Sequence, residues 1–298
     1  MIKRCLFVIL FLFYTISTAF AEIKMREFNG VIYVEETTVA ELEDLFEKHN
    51  YRRFLALKNR EFPAILIKKM PTDFLEIKSQ KYRNELFIRM LTPLAIKVNE
   101  ELYNERQSLL RLERRFNKDQ KLSEDDVKKL DELSMKYDYF TRRKGVDRIR
   151  LQLEQLKLRI NTIPPSLMVA IAAMESDWGF SRIANEANSL YKEKVWFTDE
   201  GLEPLENKDD GYRFKIFDSL IDSMRSYAHT FNSNINYQYV WQTRADAEKR
   251  LPYMVGESMA YTLSLASNLP NYVGILDYTT AFYDFMHLDN GKLKRIKK

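Results

Sequence analysis

Cysteine occurs once in the 298-residue chain, at Cys5. That excludes an internal disulfide and a cysteine-built metal cage. Histidine is almost as scarce. His49, His229 and His287 stand far apart and form no HExxH pair, so a zinc hydrolase lacks its ligand set. No metal and no cofactor is expected. Glycine and proline number eight each. Collagen-like and low-complexity chains are thereby excluded, and a large sheet with many tight turns is disfavoured. There is no GxGxxG fingerprint and no P-loop, so nucleotide binding has no motif to rest on. No GxSxG elbow supports a serine triad, and His229 reads as an ordinary half-buried histidine on an amphipathic helix. An excess of one charge is also missing. The 47 basic and 43 acidic residues leave +4, which gives little basis for binding nucleic acid.

The N-terminus carries a processing signal. Lys3 and Arg4 precede an apolar run from Cys5 to Tyr14, and Ala19-Phe20-Ala21 has the form of a cleavage site. The mature chain is expected to begin at Glu22, without its cysteine, and to be exported to the periplasm or cell envelope. The apolar run is short for a membrane span, so no stable membrane insertion is expected after cleavage.

Residues 22–60 are mixed, with VIYV (31–34) a short strand and VAELEDLFEKHN (39–50) a helix. From about 72 the chain reads as amphipathic helix. Leu86, Met90, Leu94, Val98 and Leu102 recur every four residues, with Thr92-Pro93 a cap or a kink in their midst. Ser123–Asp126 is a capping box for the next helix, and another runs from about 146 to 160. Thr162-Ile163-Pro164-Pro165 marks a boundary and starts a helix expected to reach Asp177, with Gly179 stopping it. Residues 192–215 read as a small β lobe. Helices return over 218–233 and 244–265 and again after Asn271. The basic stretch KLKRIKK (292–298) reads as a solvated tail.

One residue stands apart. Glu175 follows the apolar run SLMVAIAAM (166–174) and lies in the last turn of its helix. The negative end of a helix and an apolar border both work against an ionised carboxylate there. A carboxylic acid that keeps its proton is what glycosidic cleavage needs, because it protonates the leaving oxygen. A surface glutamate beside a helix end is the plainer alternative. Aromatic residues make up 13% of the chain, with 17 tyrosines, which suits a groove that stacks on rings as well as helical cores.

The stretch IPPSLMVAIAAMESDWGFSR (163–182) resembles the glucosaminidase domain of bacterial cell-wall hydrolases, whose signature is close to P-x-x-L-x-x-A-Q-A-A-x-E-S-x-W-G. Within that group the chain looks most like the bacterial Bax-type proteins, which are unrelated to the apoptosis regulator of that name. The further matches come in order. Asn188-Ser189-Leu190-Tyr191 stands where the family has N-N-L-F. Trp196-Phe197 and Gly201-Leu202-Glu203-Pro204 resemble W-x-F…G-L-x-P, and Phe217-Asp218-Ser219 with Ser226-Tyr227 resembles F-x-S…A-Y. Upstream, FIRMLTPLAIKVNEELYNER (87–106) is similar to the family's L-x-P-L-x-x-x-x-N-E helix.

The resemblance implies a mainly α fold: a lysozyme-like helical domain with a small β lobe, preceded by a helical N-terminal region. On that basis the chain divides into a signal peptide (1–21), the helical N-terminal region (22–145), the glucosaminidase domain (146–288) and a basic tail (289–298). The implied activity is hydrolysis of β-1,4 bonds next to N-acetylglucosamine in peptidoglycan, with glycan strands as the partner. Glu175 matches the proton donor. Trp178, Asn188, Tyr191, Trp196 and Tyr272 match positions that shape or line the groove. The sequence also departs from the pattern. Ser189 replaces the second Asn, Lys192 stands where Gly is usual, and only Leu265 or a shifted Tyr261 is available for a family tyrosine. The second carboxylate is open among Asp199, Glu200, Glu203, Glu206, Asp209 and Asp210. Two other readings remain: a lytic transglycosylase, although no Gly-Leu-Met-Gln segment follows Glu175, and a non-catalytic glycan-binding scaffold.

Overall fold

The computed structural model describes residues 23–206, 210–263 and 271–296. The signal segment with Cys5, the candidate acid Asp209, Leu265 and the end of the basic tail lie outside the described residues.

The described residues open with a hairpin. β1 (Lys24–Phe28) pairs antiparallel with β2 (Val31–Glu36) across Asn29-Gly30, both at positive φ as a tight hairpin turn requires. Thr38 and Glu41 then form a reciprocal capping box that starts α1 (Val39–Lys48). After α2 (Arg53–Asn59) come two short strands, β3 (Glu61–Pro63) and β4 (Ile65–Ile67), and β4 joins β2 in parallel.

A 40-residue helix, α3 (Gln80–Asp119), runs straight through Thr92-Pro93. No cap forms there. A proline inside a helix leaves the carbonyl four residues earlier without its donor. Here that carbonyl belongs to Arg89, and the buried Tyr51 hydroxyl donates to it at 2.9 Å. The helix therefore survives its proline because a distant side chain replaces the lost bond.

Next come α4 (Glu124–Lys136), capped by Ser123, and α5 (Gly145–Arg159). They are followed by α6 (Pro165–Glu175), the short α7 (Arg182–Glu186), and the antiparallel pair β5 (Lys194–Trp196) and β6 (Tyr212–Phe214), which is the expected β lobe. The last helices are α8 (Leu220–Ser233), α9 (Gln238–Arg250), α10 (Val255–Leu263) and α11 (Tyr272–Phe282). The single helix expected over 244–265 is two, divided at Leu251. A residue before proline is pushed out of the helical region, and Leu251, before Pro252, has φ −141° and ψ 59°. The tail is not simply solvated either. β7 (Lys292–Lys294) lies parallel to β3, with Leu293 turned to the core and the two lysines outward.

The architecture is mainly α with a small β lobe, as expected. The N-terminal region adds a three-stranded sheet that local patterns did not announce. Buried apolar side chains form two clusters. The larger takes in the N-terminal sheet, the first half of α3, α6, α8, α10 and α11. The smaller joins the second half of α3 (Leu109, Leu112, Phe116) to α4 and α5. Among the described residues no helix is long and apolar enough to cross a membrane.

Candidate active site

The axis of the site is α6. From Pro165 to Ala173 every residue of this helix is buried, so it is apolar all round, as a central helix must be. It packs against α3, α10 and α11. Its start is fixed by side chains from elsewhere. At the start, Asn99 of α3 donates to the Ile163 carbonyl at 2.6 Å and accepts from the Ile163 amide at 2.9 Å. Asp289 then accepts from the Ser166 amide at 2.8 Å and from its hydroxyl at 3.0 Å, serving as a cap supplied from the far end of the chain. Burial pushes the Asp289 carboxyl up to about 6, against the effect of those two hydrogen bonds.

At the other end the helix stops at Glu175, two residues earlier than expected. The fully buried Ser176 causes this stop. Its hydroxyl donates to the Ala172 carbonyl at 2.6 Å and accepts from the Gly179 amide at 2.9 Å. Asp177, Trp178 and Gly179 follow at φ 50°, 54° and 76°. The chain turns so sharply that Glu175, its side chain 18% exposed, is left on the open edge of an otherwise buried helix.

Three tyrosines surround that edge. Burial raises Tyr227, Tyr237 and Tyr272 above the usual phenol range, and the charge of Glu175 pushes each in the same direction. Their hydroxyls thus stay protonated and available as donors. Tyr191 stacks on Tyr227 with ring centres 4.0 Å apart, and its hydroxyl donates to the Met168 carbonyl at 3.2 Å. The Lys192 ammonium lies 3.5 Å from Glu175 Oε2.

Of the residues expected from sequence, the structure gathers Tyr272 with Glu175 and brings Tyr191 to the same wall through Tyr227. The others are placed elsewhere. Trp178 packs inward among Phe87, Tyr283 and Phe285. Asn188 is buried and donates to the Phe217 carbonyl at 2.8 Å, which ties the loop before the β lobe to the start of α8. Trp196 is exposed on the lobe, 5.5 Å from Tyr212. Asp199, Glu200, Glu203, Glu206 and Asp210 all lie on the exposed face of the lobe.

One carboxylate escaped the sequence reading. Glu193 is largely buried and burial raises it above the usual carboxylate range, while a hydrogen bond from the Ser226 hydroxyl at 2.8 Å opposes the shift. Among the described residues its second oxygen, Oε1, has no hydrogen-bond partner. Tyr237 feels the charge of Glu193 as well as that of Glu175, so the two acids share a neighbour. A glutamate in a mixed-charge loop gives no local sign of this. The only signal was its place directly after Lys192. Among the described residues no three His, Asp or Glu side chains gather as a metal site.

Residues 153–273 match the family model for glucosaminidase, described as mannosyl-glycoprotein endo-beta-N-acetylglucosaminidase. No curated protein matches the chain in sequence. A similar solved structure is the catalytic domain of the autolysin Auto from Listeria monocytogenes. It has 15% identity and a TM-score of 0.36 over 72% of this chain and 91% of that one.

Proposed function

We infer that this chain, a glycoside hydrolase with its endo-β-N-acetylglucosaminidase domain at 153–273, is exported and cuts β-1,4 bonds next to N-acetylglucosamine in peptidoglycan. Within that class we read it as a Bax-type protein acting in the periplasm or cell envelope. Glu175 is the proton donor. The observation that carries this role is its position: the one carboxyl on α6, part-exposed where a buried helix ends, inside the matched segment and among tyrosines that stay protonated.

The chemistry follows from that placement. Glu175 gives its proton to the glycosidic oxygen as the bond breaks, and water takes the sugar carbon. The tyrosine hydroxyls near Glu175 donate to sugar oxygens. A second carboxyl has to activate the water. Glu193 is a candidate for this because it is buried, has a free oxygen and shares Tyr237 with Glu175.

The test is digestion of purified peptidoglycan by the mature chain and by Glu175→Gln, with mass spectrometry of the fragments. We expect new reducing N-acetylglucosamine ends from the wild type. Loss of a general acid costs about 10²–10⁴-fold, so the variant should release almost none. Anhydro-muramic ends would make the chain a lytic transglycosylase. Equal release by the variant would remove Glu175 from the chemistry.

A further inference from the structure

Lys192 occupies a backbone position that a lysine does not favour. Its φ is +49°, in the left-handed region where a Cβ is strained and glycine is not. The side chain held there is half-exposed, at 49%, and its ammonium lies 3.5 Å from Glu175 Oε2. The neighbouring cations are engaged elsewhere. Lys215 donates to Ser226 at 2.8 Å and lies 4.0 Å from Glu193, and Lys194 sits 3.6 Å over the Tyr212 ring. Among the described residues Lys192 is thus the ammonium paired with the acid.

This pairing conflicts with the role of Glu175 as a proton donor. The ammonium stands against the carboxyl oxygen that a glycosidic oxygen has to reach, so the pair is a resting form. The ammonium must move before the acid can donate. A neutral glycan offers nothing to draw it away. A glycan that bears carboxylates does, and the long flexible lysine stem lets the charge swing to it. Peptidoglycan carries such groups, either as the lactyl acid on its alternate sugars or as carboxylates of the attached peptide.

We propose that Lys192 is a specificity residue that binds a carboxylate carried beside the scissile bond and, in doing so, releases Glu175 to act as the acid. This rests on the reading of Glu175 as proton donor. It deepens that reading by making the substrate class an anionic N-acetylhexosamine glycan.

The experiment compares the wild type, Lys192→Gly and Lys192→Arg. Glycine suits the backbone at this position, so that variant should fold at least as well as the parent. Three ligands of equal length are used: a neutral chitooligosaccharide, a peptide-free glycan strand with lactyl carboxylates, and a strand that keeps its peptides. Binding is measured by calorimetry and turnover by reducing ends. The wild type should prefer an anionic strand over the neutral one by about tenfold, the scale of one charge-assisted contact. Lys192→Gly should lose that preference and cleave the neutral ligand faster than the wild type does. Lys192→Arg should keep the preference. A preference confined to the peptide-free strand names the lactyl group, and one confined to the other strand names the peptide. An unchanged preference in Lys192→Gly, or none in the wild type, overturns the proposal. Failure of the hydrolase reading looks different: no turnover of any ligand by any variant, whatever the binding.

Discussion

Glu175 depends on the three residues that follow Ser176, since these turn the chain away and leave the carboxyl in the open. Of them, Gly179 tolerates least. At φ +76° a Cβ would be strained, and it would meet Met70 Cε at 2.6 Å and Phe87 Cδ2 at 3.0 Å. Gly179→Ala should therefore destabilise the fold by roughly 2–4 kcal/mol, the sum of a left-handed backbone and an overpacked core. Urea unfolding measures this, and a loss of stability under one-quarter of that size would show that Met70 swings aside. The E-S-x-W-G stretch was legible because each of its parts acts within five residues. The acid ends the helix, the serine closes its last turn and the glycine makes the reversal. Tyr227, Tyr237 and Glu193 were not legible as partners of Glu175, because they join it only through folding and no spacing marks them. Trp178 was legible as part of the motif, but its direction was not. It turns toward Phe87, Tyr283 and Phe285, which come from opposite ends of the chain.

At the scale of elements, α6 is a rod clamped at its start by Asn99 and Asp289 and open at its end at Glu175. The N-terminus of a helix favours a carboxylate, yet burial wins at Asp289 and holds its carboxyl up at about 6, against an ordinary value of 3.8. The sign follows from linkage. The native state binds this proton more tightly than the unfolded chain does. The resulting stabilisation is complete below about pH 4 and is lost as pH rises through about 6. The loss is on the order of 2–3 kcal/mol. Asp289→Asn keeps an oxygen for the Ser166 amide and removes the titration. Its unfolding midpoint should gain on the wild type between pH 4 and pH 7, and parallel profiles over that range would disprove the assignment. Elements of this kind were the most legible feature of the chain. The strand at 31–34, the Ser123 cap and the proline start of α6 all act locally. The clamps were invisible, since Asp289 lies 123 residues from Ser166 along the chain.

For the whole molecule, the larger core decides what can be cut away. The matched segment begins at residue 153, and a chain trimmed to it, or to 146–298, would keep Glu175 and every tyrosine around it. It would also discard one side of that core. Phe87, Leu91 and Leu94 of α3 and Ile65 and Ile67 of β4 share the larger cluster with Leu167, Met168 and Ile171 of α6. Each fully buried side chain of this kind is worth about 1.5–3 kcal/mol. A handful of them equals the whole net stability of a domain, about 5–15 kcal/mol. The cut would also remove Asn99 from Ile163, and Phe87 from Trp178 and Gly179. We therefore expect the chain deleted of residues 22–145 to be insoluble, or soluble without a cooperative thermal transition by calorimetry. A sharp transition with unchanged turnover would show that α6 finds another cover. Loss of activity in this truncation would report the missing core. A role for the N-terminal region in admitting glycan has to be sought instead with point changes on its surface, where the clamps on α6 stay in place.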